Sequence, residues 1–305
     1  MRREENSMSL NHKKLLPPPW LAYPEIERYS IGWRMGYGED YLYKFSDWFY
    51  SLPKEEQIKY RNMFPEPVTW AGWWNDTDDT NILEHGNFIA ALWTPSGNPK
   101  YTLQWLQRTT AEGQRHKFCF FWGHQPANDG TVTKSCFSQW WMADFNAMEQ
   151  TYCCMEQYMM AGKAELFDDQ ETREKILASR SPKQIKELGR RVKGFDQATW
   201  DKAKFSIVLN GNWCKFSQNM ELKAFLLSTG DAILAEASPY DGIWGIRMQA
   251  DAPDAANPLK WRGQNLLGFA LMEVRDELRR VTKNESLCEH AARNQSDSKL
   301  AKYPM

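Results

Sequence analysis

Histidine is scarce: five residues in 305 (His12, His85, His116, His124 and His290), none of them between Phe137 and Val281. That stretch therefore cannot supply a histidine-built zinc site or a Ser-His-Asp relay by itself. No GxxxxGK[ST] loop is present, and Gly36-Tyr37-Gly38 lacks the third glycine of a dinucleotide fingerprint. HExxH and GxSxG are also missing. The six cysteines (Cys119, Cys136, Cys153, Cys154, Cys214 and Cys288) contain no CxxC pair and read as reduced packing thiols. No apolar run is long enough to span a bilayer, in keeping with a mean hydropathy of −0.68. The first 20 residues hold only Leu15-Leu16 as an apolar pair, so no secretory leader is expected and a cytoplasmic location is. Neither sign of charge dominates: 38 Lys and Arg against 39 Asp and Glu leave −1. An overall basic field is excluded, a local basic groove is not.

Aromatics are abundant instead. Of 15 tryptophans, 11 lie at or before Trp141, which suggests two unlike segments. Residues 20–75 are the densest region, and they follow the stiff Pro17-Pro18-Pro19 spacer. Patterning predicts a helix over 39–51, a helix starting at Ser51-Leu52-Pro53, a polar turn at 76–80 and a loop at 94–100. Beyond His116 it predicts a buried strand at 118–122, a loop at 123–133, and helices over 149–167, 182–192, 197–209 and 218–229. A strand at 233–237 leads into the turn 238–242, and a last helix over 264–280 carries Leu267, Leu271, Val274 and Leu278 as one stripe. The expected fold class is α+β and mostly α-helical. Three segments are expected: an aromatic-rich extension (1–115) of unassigned role, a catalytic domain (116–281) and a polar tail (282–305).

Three constellations carry chemistry. In Met155-Glu156-Gln157-Tyr158-Met159-Met160-Ala161-Gly162-Lys163, the acid and the amine are seven residues apart. That spacing puts them about 20° apart on one helix face. A buried Glu–Lys pair shifts both pKa values and so prepares a base or an amine nucleophile; the plainer reading is a surface ion pair. The turn Ser238-Pro239-Tyr240-Asp241-Gly242-Ile243-Trp244-Gly245 presents an acid and an indole, or is simply a capped turn with a packing Trp. The third group is Lys186-Glu187-Leu188-Gly189-Arg190-Arg191, with Trp200 and Lys215 beyond it. Its cations can hold phosphate, or form a solvated basic face.

In order along the chain, FFW (120–122), CFSQW (136–140), MEQYMMAGKAELF (155–167), SPKQIKELGRRVKGFDQATW (181–200), NWCKFSQNMELKAFLLSTGDAILAEASPYDGIWG (212–245) and WRGQNLLGFALMEVRDEL (261–278) resemble a NADAR domain, the superfamily that includes YbiA-like proteins. The resemblance spans about 116–280. It implies a compact, mostly helical α+β domain with N-glycosidase activity. Some such proteins remove ADP-ribose from guanine in nucleic acid, several as antitoxins to DarT-like toxins; others are linked to ribosylated intermediates of riboflavin synthesis. The family's acid and lysine fall on Glu156 and Lys163, its LGR on Leu188-Gly189-Arg190, its KF on Lys215-Phe216 and its DxxWG on Asp241, Trp244 and Gly245. Two departures stand out: Gln157 replaces the usual histidine, and Ser138-Gln139-Trp140 replaces an SNF-type segment. Met248 to Trp261 reads as an insertion.

The activity expected from the resemblance is hydrolysis at C1″ of an ADP-ribosyl group on guanine in DNA or RNA, as in nucleic-acid repair or toxin neutralisation. The expected catalytic residues are Glu156, Lys163 and Asp241. Expected substrate contacts come from Trp122, Ser138, Gln139, Gln157, Arg190, Trp200, Lys215, Ser238, Trp244, Gly245 and Asn265. No cofactor, metal or membrane enters this reading; the expected partners are modified nucleic acid, a free ADP-ribose-type ligand and a DarT-like toxin. Hydrolysis of ribosylated pyrimidines and non-catalytic reading of ADP-ribose are the alternatives.

Overall fold

The computed structural model describes residues 15–75 and 98–289. The expected turn at 76–80, most of the loop at 94–100, and Trp93 lie outside them. The fold is α+β and mostly helical, as expected. Helices α1 (Pro19–Ala22), α2 (Tyr37–Ser51) and α3 (Lys54–Met63) belong to the aromatic segment. Then come α4 (Leu103–Ala111), β1 (Phe118–Phe121), β2 (Phe145–Ala147), β3 (Gln150–Tyr152), α5 (Met155–Leu166), α6 (Gln170–Leu177) and α7 (Pro182–Arg190). The order closes with α8 (Gln197–Gln218), α9 (Met220–Ser228), β4 (Ile233–Glu236) and α10 (Leu266–Val281). None of the described helices is long and apolar enough to cross a membrane.

The sheet that positions the site is minimal. β1 and β4 pair in parallel, with Phe121 opposite Glu236. Helix α10 packs on β4 and α8, and α5 also packs on α8. The stripe read from sequence on α10 is buried throughout: Leu267, Leu271, Val274 and Leu278 are each at most 1% exposed.

Two expectations change. The helix read from 149 starts at Met155, because residues 145–152 form a hairpin. Its two-residue turn, Met148-Glu149, has both φ values positive, near 50° and 61°, as a type I′ turn requires. The helix expected to stop at Leu209 continues to Gln218, through Gly211. That glycine is a point of close approach: a Cβ there would lie 2.5 Å from Tyr158 Cδ1 and 2.7 Å from Met155 Cε.

The aromatic segment builds its own cluster from Trp20, Trp33, Phe45, Phe49, Tyr60, Phe64 and Trp70, with Cys288 among them. The tryptophans at 70–74 are packing residues. Trp70 is buried, while Trp73 and Trp74 are half-buried against the cluster, with the Trp74 indole donating to Phe64 O. The cluster is tied to α10: Val68 N donates to Glu277, and Arg280 donates to Glu66 O. Residues 285–289 join it through the Leu15–Cys288 bridge. Helix α4 lies before residue 116 yet puts Leu106 into the main core. The insertion at 248–261 folds into short turns that rest on α4, with Trp261 buried and Gln107 donating to Pro258 O.

Replacing Gly211 by Ala sets a helix-propensity gain of roughly 1 kcal/mol against overpacking that costs about 1–3 kcal/mol. Since the neighbour is a buried ring, overpacking should win. A lowered urea midpoint for Gly211→Ala is expected; a raised midpoint would contradict the packing described.

Candidate active site

The site gathers at the carboxyl ends of β1 and β4, where ligands of parallel sheets commonly bind. Four segments meet there: Trp122 after β1, the turn at 138–140, the first turn of α5, and the 236–245 segment. The start of α5 is held from outside the helix. Glu156 N donates to Gln139 O at 2.8 Å, satisfying one of the amides a helix start leaves open. Gln157 works inward: its Oε1 accepts from Cys153 N at 2.7 Å, and its Nε2 donates to Ile176 O, Leu177 O and Ser179 O. That amide is committed to backbone and anchors α5 to the end of α6. Gln157 thus positions the start of α5.

Glu156 is 7% exposed. Burial first, then the nearby Cys154 and Asp241, push its carboxyl up to about 8, while Lys186 on α7 opposes them. Glu236, the last residue of β4, was not among the expected site residues. Burial first, then the charges of Asp241 and Glu156, push it up to about 8, with no cation opposing. Its Oε2 is buried without a hydrogen-bond partner among the described residues. The sequence signal was present: an acid ending an apolar strand, before a turn that carries another acid.

Asp241 caps its own turn, accepting from Ile243 N and Trp244 N at 2.8 Å each. Ser238 Oγ accepts from Asp241 N at 3.2 Å. Gly245 is required, since a Cβ there would sit 2.7 Å from Glu236 O. Asn265 is buried and left-handed (φ 55°), with Nδ2 donating to Leu234 O and Oδ1 accepting from Glu236 N. Both ends of its amide are engaged with β4, so it too positions the site.

Lys215 was expected to neutralise a diphosphate. The structure encloses it: fully buried, its ammonium donates to Cys136 O at 2.7 Å and Ser138 O at 3.2 Å. It thereby fixes the turn that delivers Gln139 and Glu156. Ser138 is buried as well, its hydroxyl accepting from Trp140 N. Lys163 lies two turns along α5 from Glu156. Its amine donates to Gly189 O at 2.9 Å and lies over the Phe195 and Trp200 rings, at 4.1 and 5.8 Å; burial lowers its pKa. Gly189 allows this approach of α7, since a Cβ there would run into Met160 Sδ. On α7, Lys186 and Arg190 are exposed. Trp122 (55% exposed) meets the exposed Tyr240 at a ring distance of 6.5 Å, and Trp244, farther along the Tyr240 turn, is half-buried.

Chemically, the structure pairs two water-poor carboxyl groups with a third acid, beside exposed rings and cations. In the fold, Glu156 and Glu236 hold protons near neutral pH that an unfolded chain, with carboxyls near 4.5, releases. Their burial thus adds no penalty below about 4.5; the penalty grows as pH rises to about 8 and is constant above. Glu156→Gln and Glu236→Gln should each stabilise the protein at pH 8–9 by on the order of a few kcal/mol, at about 1.4 kcal/mol per pKa unit. The gain should vanish near pH 4.5, as read by denaturant unfolding at both pH values. A pH-independent difference would contradict the burial of ionisable acids.

A NADAR domain profile matches residues 120–279, just over half of the chain. The chain is 45% identical over 166 residues to N-glycosidase R617 of Acanthamoeba polyphaga mimivirus, a match covering 53% of this chain and 96% of that protein. It is 33% identical over 129 residues to N-glycosidase YbiA of Shigella boydii, covering 42% of this chain and 72% of that one. The maize chloroplastic riboflavin biosynthesis protein PYRR is 32% identical over 144 residues, covering 45% of this chain and 21% of its own length. All of the assembled site residues fall within the matched region, and the chain belongs to the NADAR family, among relatives named as N-glycosidases.

Proposed function

We propose that this protein hydrolyses the N-glycosidic bond at C1″ of an ADP-ribosyl group attached to guanine in nucleic acid. The observation that carries an N-glycosidase reading is the buried Glu156 carboxyl, grouped with Glu236 and Asp241. Departure of the base leaves oxocarbenium-like charge on the ribose, which an adjacent carboxylate stabilises while it takes a proton from attacking water. The amides of the first turn of α5 favour the ionised form of Glu156 at that moment. Lys186 and Arg190 are the exposed cations suited to the diphosphate, in place of the enclosed Lys215. The rings of Trp122, Tyr240 and Trp244 offer stacking surfaces for a base, each worth roughly 1–3 kcal/mol. The ADP-ribosyl group and the guanine rest on the family resemblance, as does a DarT-like toxin as partner.

A second chemical route is favoured by one observation. Among the described residues, Lys163 has no carboxylate partner and a lowered pKa, as an amine nucleophile at C1″ requires. A second substrate class, ribosylated pyrimidines, is favoured by the similarity to maize PYRR.

One set of incubations separates these readings. The wild type should release ADP-ribose from an ADP-ribosylated guanine oligonucleotide, and Glu156→Gln should be slower by roughly 10²–10⁴-fold. An intact oligonucleotide alongside turnover of a ribosylaminopyrimidine would move the assignment to the second class. Borohydride added during turnover should leave the wild type unmodified; a sugar adduct absent from Lys163→Ala would instead establish the amine route.

A further inference from the structure

Cleavage of an N-glycosidic bond needs two things: a group to receive the sugar carbon and a proton for the departing nitrogen. The residues assigned so far provide the first. We propose that Glu236 provides the second, as a catalytic residue whose carboxyl proton passes to the base nitrogen as the bond to C1″ breaks. The proposal rests on the N-glycosidase reading above and extends it to the leaving group.

Position is the first argument. Glu236 ends β4, where the parallel pair opens toward Trp122, and its backbone is fixed on both sides. Its amide donates to Asn265 Oδ1 at 3.0 Å, and its carbonyl accepts from Ile246 N at 2.9 Å. Gly245 lies against that carbonyl so closely that no side chain fits between them. A backbone gripped so firmly has little freedom to swing its side chain away from the site.

The unused oxygen is the second argument. Oε2 of Glu236 is buried and has no hydrogen-bond partner among the described residues, which is unfavourable in a folded protein. The residue as a whole is half-buried at the strand end. An orphaned polar atom on a rigid strand end, electrostatically coupled to Glu156 and Asp241, is a group waiting for a partner that arrives with substrate. A base nitrogen is such a partner.

The third argument is the asymmetry between the two acids. Glu156 has Lys186 acting on it and stands in the first turn of a helix, and both favour its anion. Glu236 has neither, and Asp241 and Glu156 bear on it with like charge. Of two acids that both hold protons near neutral pH, the one with a cation acting on it loses its proton first and the one without keeps it. Glu236 is then the acid and Glu156 the base.

The step balances. The C1″–N bond breaks with its electron pair going to nitrogen, which takes the proton of the Glu236 carboxyl. Water oxygen bonds to C1″, and the proton it loses goes to the Glu156 carboxylate. Products are the unmodified guanine, still in its strand, and ADP-ribose. A proton then passes from Glu156 to Glu236, with Asp241 or solvent as relay, and the starting state is restored.

The test varies the leaving group. On the ADP-ribosylated guanine oligonucleotide, Glu236→Gln should be slower by roughly 10²–10⁴-fold, the usual contribution of a positioned acid. On an ADP-ribosyl 4-nitrophenyl conjugate, whose leaving group departs without a proton, the same variant should stay within a few-fold of wild type. Glu156→Gln should lose activity on both. Equal losses of Glu236→Gln on both compounds, or none on the oligonucleotide, would overturn the proposal. A measurement free of substrate accompanies it: carbon-13 titration of glutamate side-chain carboxyls, assigned with the two Gln variants. Glu236 should remain protonated at pH 7, whereas an ionised Glu236 at pH 6 overturns its role as acid. If the wild type leaves both ADP-ribosyl compounds intact, the substrate assignment fails, and the titration decides the proton donor separately.

Discussion

The side chain of Asn265 spans two elements that have no covalent reason to stay together. One end donates to the carbonyl of Leu234, the other accepts from the amide of Glu236, and the residue itself caps the start of α10 in a left-handed conformation. A sheet of two short strands has little rigidity of its own. Through Asn265 the end of β4 inherits the rigidity of a sixteen-residue helix packed into the core. The close contacts at Gly245, Gly263 and Gly268 follow from the same arrangement, because a Cβ at any of the three would strike backbone or the Asn265 amide. With that link in place, Glu236 and the Asp241 turn have defined positions. Without it, the acids would find water.

Holding carboxyl groups out of water is unfavourable, and the surrounding architecture offsets it. Gln157, Lys215 and Ser138 are polar, buried and fully engaged with backbone, and all three serve the turn and helix start that carry Glu156. The aromatic segment contributes at a distance. It clamps the C-terminal half of α10 through Glu277 and Arg280, and touches the 145–152 hairpin through Glu27, which accepts from Met148 N. Its tryptophans are therefore spent largely on a second core. The richness in tryptophan that distinguishes the two halves reflects how the smaller half folds and docks.

Much of this was readable in the chain, for identifiable reasons. The α10 stripe has the helical period, Pro182 marks the start of α7, and Asp241 two residues before Ile243 is a self-capping turn; each signal is local. The hairpin at 145–152 was missed because Met148-Glu149 is not a usual positive-φ pair, and tertiary contact with Glu27 supports it. The helix expected to end at 209 runs on through Gly211, and the cause of that glycine, the Tyr158 ring, lies on another helix. Glu236 was passed over as one polar residue ending a strand. Its importance comes from burial and from acids remote in sequence, which no local pattern displays. Similarly, the resemblance placed Lys215, Gln157 and Asn265 in the site, but only packing shows that they hold it together from behind.

Catalysis by these acids depends on where the reacting sugar carbon sits. A crystal structure of the Glu156→Gln variant bound to ADP-ribosylated guanosine addresses this directly. The carbon C1″ should lie between the residue 156 amide and the Glu236 carboxyl, with the base nitrogen within hydrogen-bond reach of Glu236 Oε2. A sugar seated instead beside Lys163 and the Phe195–Trp200 rings, with C1″ remote from both acids, would contradict it.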